Sequence, residues 1–392
     1  MAVSLRSSIA KRCSHLNAAL YFWSLSMLRS FHSIGQGAFY TEEFSSFTSV
    51  YDCGTDTIVG TGKSSTRENT IKKEVFSVFN NNARVNVLFI SHFHRDHVNG
   101  LQSLLSRCNV DYVVIPYLQD FSRIELLINS YSDNSRFIND LILDPANTIN
   151  KVSPNTKVIY VRPFELINEE RRIVQLESLD NGDFIESSTA IHSGFIKSWE
   201  YIPCNFDYSY RSQALKLEFD KRNLKISSVK DFKLLWSKSK KRTEIKEAYK
   251  KLKGNFNATT MTVYSGPYGK EKFTQVSYED VFGLFYNSLG AACLYLGDFE
   301  ASKHWNDLDK AYGRLWDNIG VIQVPHHGSK ENYTDKLNKN PFVFSVISAG
   351  SINSHRHPHS YTTGEILKNK GIMRIVTESP ATRFQLSVEK KI

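Results

Sequence analysis

The chain has 392 residues, of which 41% are hydrophobic and 12% aromatic, and a net charge of +9. That length can bury a large core, and the composition is that of a globular protein rather than a fibrous or disordered one. Its five cysteines, Cys13, Cys53, Cys108, Cys204 and Cys293, form no CxxC pair. This speaks against a zinc ribbon or a disulfide framework and fits a reducing, cytoplasmic location.

Residues 1–26 contain no acidic side chain, the first being Glu42, and Arg6, Lys11 and Arg12 precede a moderately apolar run over 16–23. The run is too short for an ordinary membrane helix, so no membrane insertion is expected. Residues 1–28 read as a leader or as a misassigned start with Met27 as the true one, which leaves 29–392 as the folded domain. Ser49-Val50-Tyr51-Asp52-Cys53-Gly54 follows as a strand and a glycine turn, and 68–79 as a helix.

The densest chemistry comes next, in His92-Phe93-His94-Arg95-Asp96-His97. The apolar run 85–90 before it predicts a buried strand. Val98, Leu101, Leu104 and Leu105 after it recur at helical spacing, so the six residues span a strand-to-helix turn. His92 and His94, two apart in extended chain, point the same way. Asp96 and His97, on the turn, can face a second point nearby. Imidazole and carboxylate in this pattern suit two divalent ions side by side, zinc first and manganese second. The alternative is a cluster of structural histidines.

Further strands are predicted over 112–116, 157–161, 261–264, 293–296, 321–324, 342–348, 373–376 and 384–387, with a helix over 121–142 and another over 362–369. This alternation implies a layered α/β architecture. Segment 219–253 holds 13 Lys or Arg against 4 Asp or Glu, an excess that equals the net charge of the whole chain. Phe232, Leu235, Trp236, Ile245, Ala248, Tyr249 and Leu252 recur there at helical spacing, which predicts one or two amphipathic helices inserted between core strands. A basic patch on a neutral body points to an anionic partner such as nucleic acid, with Lys238, Lys240, Lys241 and Arg242 as candidate contacts. A solvated face or a membrane surface are the other readings of such a run.

HFHRDH resembles the HxHxDH signature of the metallo-β-lactamase fold. Leu296-Gly297-Asp298 resembles the block of its metal-bridging aspartate. Val324-Pro325-His326-His327-Gly328-Ser329 and Asn353-Ser354-His355-Arg356-His357-Pro358-His359 are similar to the HHGS and N-x-Y-G-H-P-H blocks of the ComEC-type subfamily, and a bacterial phosphorylcholine esterase carries similar blocks. Phe31–Gly37 is similar to the V-G-Q-G-D strand that opens such domains, with Ala38 in place of the acidic residue. The resemblance runs from about Leu28 to the C-terminus. It implies an αββα sandwich, here with a basic helical insert, and two metal ions at one edge that hold a hydroxide between them.

The resemblance also implies roles. His92, His94 and Asp298 would hold the first ion, joined by His192. Asp96, His97, Asp298 and His327 would hold the second. His192 is the only histidine between His97 and His304 and so the default third ligand, but a satisfied histidine at a strand end reads equally well. Asp52 would orient a metal-binding histidine, or else cap a turn. His326 would contact substrate, and His357 would either protonate a leaving group or bind a phosphate oxygen. His355 and His359 read as parts of a polar loop. The activity implied is metal-dependent hydrolysis of a phosphodiester, in first place as a nuclease. The alternatives are a hydrolase of small phosphoesters, cyclic nucleotides, lactones or lactams, and a binding protein on a catalytically dead metal fold.

Overall fold

A computed structural model describes residues 24–131, 135–165, 171–208, 210–252, 259–269, 272–277 and 290–390. Most of the segment read as a leader, 1–23, lies outside the described residues, as does Lys253 of the basic segment. Residues 24–28 belong to the fold. They open strand β1 (Ser24–Phe31), which pairs on both sides, and Met27 is fully buried.

The chain continues through β2 (Gly37–Phe44), β3 (Thr48–Thr55), α1 (Arg67–Val78), β4 (Ala83–Phe89), the short helix α2 (Arg95–Val98), α3 (Leu101–Arg107) and β5 (Cys108–Pro116). Two helices, α4 (Asp120–Ser130) and α5 (Arg136–Leu143), stand where the periodicity predicts one, and α6 (Pro145–Val152) follows them. Ser135 and Asp144 explain the breaks, since each accepts a hydrogen bond from the backbone N–H three residues on and so starts a new helix. Strands β6 (Lys157–Val161), β7 (Ile173–Gln175), β8 (Phe184–Ile185), β9 (Ala190–Ser193) and β10 (Ile196–Asp207) follow. The basic segment forms α7 (Tyr210–Lys221), α8 (Val229–Trp236) and α9 (Ser239–Lys250). The remainder is β11 (Thr259–Pro267), β12 (Phe273–Ser277), β13 (Ala292–Tyr295), α10 (Ala301–Tyr312), β14 (Ile319–Gln323), β15 (Phe344–Ser348), α11 (Ser360–Lys368), β16 (Ile372–Val376) and β17 (Phe384–Lys390).

The strands form two mixed sheets, ordered β12-β17-β1-β2-β3-β4-β5-β6-β8 and β16-β15-β14-β13-β11-β10-β9-β7. Alternation along each strand sorts its side chains between two cores. In β4, Val87 and Phe89 join Tyr40, Tyr51, Tyr201, Met261 and Tyr295 in the apolar layer between the sheets. Leu88 and the following Ile90 point outward to α3 and α4, through Leu104 and Leu127. The second sheet packs its outer face, with Ile202, Leu294 and Ile322, against Leu308 and Tyr312 of α10 and Ile366 of α11. The protein is thus a mixed α/β structure with helices covering the outer faces of two packed sheets.

The basic helices arise between β10 and β11, which are direct antiparallel neighbours in the second sheet. They nevertheless cover the other side of the molecule. Phe219, Phe232, Ile245 and Ala248 bury into the helical layer of the first sheet, and Trp236 stacks on Tyr131 with ring centroids 5.2 Å apart. The insert therefore begins earlier than 219, with α7, and its apolar stripe is core while its lysines face outward. Among the described residues no helix is long and apolar enough to cross a membrane.

Candidate metal centre

The site forms where β3 and β4 end side by side. After β4 the chain turns through Ser91 and His92 into α2, which docks on β3. That approach requires Gly54, because a Cβ there would stand 2.6 Å from the backbone carbonyl carbon of Asp96 and the amide nitrogen of His97. Asp52, two residues before it, is fully buried with φ +55°, a left-handed conformation that Asp and Asn tolerate better than most residues. This backbone aims its carboxylate at the turn, where Oδ1 accepts from Ser91 N at 2.7 Å and Oδ2 from Ser91 Oγ at 2.6 Å and His97 Nδ1 at 2.7 Å.

These bonds set the tautomers. A carboxylate only accepts, so His97 holds its proton on Nδ1 and directs Nε2 inward. Ser91 Oγ, having given its proton to Asp52, accepts from His92 Nδ1 at 2.8 Å, so His92 also presents Nε2. His94 Nδ1 lies 3.1 Å from His92 Nε2.

The second sheet supplies the other half. Gln323 Oε1 accepts from Leu296 N at 2.8 Å and Gly297 N at 2.7 Å, which shapes the turn after β13 and delivers Asp298. After β14, His326 and His327 both adopt left-handed backbone, φ +46° and +55°, the kind of strain that concentrates at functional sites. His327 Nδ1 donates to the Ser348 carbonyl at 2.9 Å, so its Nε2 faces Asp96 Oδ2 at 3.0 Å. His97 Nε2 lies 3.2 Å from Asp298 Oδ1 and 3.8 Å from Asp96 Oδ2, and His92 Nε2 lies 3.6 Å from Asp298 Oδ2. Two overlapping triads result, His92, His97 and Asp298, and Asp96, His97 and His327.

Three buried rings thus turn Nε2 toward carboxylates, an arrangement that repels unless a proton or a metal cation lies between. The electrostatics carry that signature. Burial alone would lower the His97 pKa, yet Asp298, Asp96 and Asp52 outweigh it and hold it well above the usual histidine value. His327 is also raised, with burial opposed by Asp96 and Asp298. Asp96 and Asp298 are driven below the usual carboxylate range against the effect of burial, chiefly by His97 and by His326, respectively. His92 is pushed well below its usual value and His94 down to about 4, each mainly by burial. Buried histidines and carboxylates with fixed outer hydrogen bonds are the donor set of a transition-metal site, and the residues fit one.

His326 lines the rim. Its Nδ1 is 2.9 Å from Asn332 Oδ1 and its Nε2 3.7 Å from Asp298 Oδ2, while Asn332 Nδ2 donates to the Asp298 carbonyl at 2.7 Å. His357 stands beyond it, ring centroid 5.5 Å from that of His326, and His355 is 5.7 Å further along. His359 caps α11, Nδ1 accepting from Tyr361 N at 3.0 Å, in keeping with a polar-loop role.

The chain matches no protein-family model and no curated protein. The resemblance to the metallo-β-lactamase fold therefore rests on its sequence blocks.

The structure gathers Asp52, His92, His94, Asp96, His97, Asp298, His326, His327 and His357, but not His192. That residue sits on β9, its Nε2 3.0 Å from Glu200 Oε2 and its ring stacked 4.0 Å from that of Tyr268. Along β10 the chain passes from Glu200 to Asn205, and Met261, the partner of Asn205, bonds Ser91, so His192 lies roughly 16 Å along the sheet from the centre. A buried carboxylate, shared with Arg171, accounts for it instead.

Ser91, Gln323 and Asn332 escaped sequence reasoning because serine and amide side chains carry no spacing signal. A narrow cleft beside His92 and His94 also went unforeseen. It is lined by Leu118, Ser122 and Glu125 of the α4 region and by Tyr208 and Arg211 at the start of α7, with Arg211 paired to Glu125.

The basic insert thus touches the site through α7. The Arg211 guanidinium lies 5.5 Å from the Tyr249 ring, which brings the C-terminal end of α9 to the cleft. Lys238, Lys240, Lys241 and Arg242 occupy the opposite end of that helix, about 10 to 17 Å farther along its axis. Lys241 is tied to Glu244 at 2.7 Å.

Proposed function

We propose that the chain is a metal-dependent phosphodiester hydrolase, a nuclease in first place, built on a ComEC-type metallo-β-lactamase αββα sandwich. The observation that carries this reading is the meeting of Asp96, His97, Asp298 and His327 in one buried cluster from sequence blocks some 200 residues apart, with Asp52 and the Ser348 carbonyl fixing the rings. His92, His94 and Asp298 on one side, and Asp96, His97, Asp298 and His327 on the other, would hold two divalent ions, zinc by the donor set and manganese as the second choice. Such ions supply a hydrolytic nucleophile at neutral pH and Lewis acidity at a phosphoryl oxygen.

The chain's own residues supply the rest. Asp52 and Ser91 hold His97 and His92 in the tautomers that present Nε2. Gln323 fixes the turn that carries Asp298, and Asn332 couples that turn to His326. His326 and His357 form the wall against which a substrate would lie. The lysines at the far end of α9 stand too far from the cluster to reach a scissile bond but within reach of neighbouring phosphates on a polymer.

The second reading is a hydrolase of small phosphoesters, cyclic nucleotides or lactones. One assay decides. Purified protein with zinc or manganese is offered single- and double-stranded DNA, RNA and bis(4-nitrophenyl) phosphate. Cleavage of polymers together with the small diester supports the nuclease. Cleavage of the small ester alone supports the second reading, and no hydrolysis of any of them refutes both.

A further inference from the structure

His357 enters the site with two possible roles, proton donor to the leaving group or ligand of a phosphoryl oxygen, and its surroundings distinguish them. Its backbone is clamped by one side chain. Asn353 Oδ1 accepts from His357 N at 2.8 Å, and Asn353 Nδ2 donates to the His357 carbonyl at 2.8 Å and to the Gly350 carbonyl at 2.8 Å. The amide is thus fully used in tying the loop to the residue that carries the ring.

The ring itself is half-buried, and its Nδ1 is sealed from solvent without a hydrogen-bond partner. Its exposed edge is therefore the one with Nε2. A protonated imidazolium has two N–H donors, and here one would be left buried without an acceptor, a cost larger for a charged group than for a neutral one. A neutral ring with its proton on Nε2 leaves only a lone pair unmet. The flanking rings of His326 and His355 oppose a positive charge as well. Burial, reinforced by these neighbours, holds the His357 pKa down at about 4.

We infer that His357 is a neutral, pre-positioned Nε2–H donor to a non-bridging oxygen of the substrate's phosphoryl group, that it does not protonate the leaving group, and that Asn353 is its positioning residue. The inference rests on the phosphodiesterase reading. A fixed neutral donor needs no reorganisation as charge develops on the phosphoryl oxygens, which is the condition under which one hydrogen bond contributes most. A proton donor would instead have to carry a charge in a place that disfavours it.

The test uses the full-length, zinc-loaded chain and two readouts. The first is NMR of the protein labelled with ¹⁵N-histidine, with His357 assigned by its absence in His357→Ala. The expected spectrum at pH 7 shows a neutral ring with Nδ1 unprotonated. The second is kinetics on aryl phosphodiesters whose leaving phenols become progressively more basic. His357→Ala is expected to lose on the order of 10²-fold in kcat, as for removal of one oxyanion donor, and by the same factor for every leaving group. His357→Asn, which keeps an N–H donor, is expected to recover part of it. Asn353→Ala is expected to lower kcat with KM little changed, and the double variant Asn353→Ala/His357→Ala to be no slower than His357→Ala alone.

A loss that grows with leaving-group basicity would identify a proton donor and overturn the inference while leaving the hydrolase standing. A ring protonated at pH 7, or a His357→Ala variant with undiminished kcat, would do the same. Wild-type protein inactive on every diester would overturn the inference together with the function it rests on.

Discussion

Asp52 offers the cleanest perturbation, because Asp52→Asn changes chemistry without changing shape or backbone preference. Asn accepts the left-handed φ of +55° as readily as Asp, so the turn should survive. Three short bonds depend on the carboxylate, from Ser91 N, Ser91 Oγ and His97 Nδ1. An amide has one acceptor oxygen. If it faces His97, its NH₂ opposes the Ser91 N–H, and if it faces Ser91, its NH₂ opposes His97 Nδ1–H and drives that ring toward the wrong tautomer. At least one charge-assisted bond is broken, worth about 1.5–3 kcal/mol. Removing an outer partner of a ligating histidine costs about 10–100-fold in metal affinity, or roughly 1.4–2.8 kcal/mol. The expected result is that Asp52→Asn weakens binding of one of the two ions by this factor, measured by competition with a chromogenic chelator, while the circular dichroism spectrum stays native. Wild-type affinity for both ions would refute the assignment of Asp52 as the residue that orients His97.

Elemental analysis should find about two transition ions per chain, and Asp96→Ala or His97→Ala should abolish hydrolysis with the fold retained; less than one ion per chain would refute the two-metal site. His97 and His327 have raised pKa values, so they hold a proton more strongly than a free imidazole does and metal must compete with it; affinity should fall as the pH is lowered, with proton release seen by calorimetry in buffers of different ionisation enthalpy. His192→Ala should leave metal content and turnover unchanged and instead lower Tm, because Glu200 is deprived of a buried partner; a drop in bound metal would return His192 to the ligand set. Neutralising Lys238, Lys240, Lys241 and Arg242 together should flatten the salt dependence of nucleic-acid binding, by roughly 0.7 to 0.9 in the log–log slope for each phosphate no longer neutralised, and leave turnover of bis(4-nitrophenyl) phosphate unchanged. An equal drop on both substrates would make the end of α9 a structural element.

The centre was legible in the sequence wherever one short block carries its own geometry. HFHRDH places four candidate ligands within six residues between an apolar run and a helical pattern, so local spacing alone sets the relation of His92, His94, Asp96 and His97. Asp298 and the pair His326 and His327 were visible because each ends an apolar strand. The amphipathic period in 219–253 likewise foretold α8 and α9, and the cap Ser135, read as such, would have divided the long helix predicted over 121–142.

What tertiary structure alone decided concerns the meeting of residues far apart in the chain. His192 has the right side chain and the right place in the order of blocks, but strand register sets it beside Glu200, and register is fixed by pairing across the sheet rather than by the residue itself. Ser91, Gln323 and Asn332 are ordinary polar residues until folding surrounds them with Asp52, Gly297 and His326. The insert's closeness to the cleft follows from α7 crossing to the first sheet's helices, where Arg211 meets Glu125 and Tyr249. Sequence periodicity specifies which face of a helix is buried, but not which of two sheets it is buried against. That choice is made by the whole core at once.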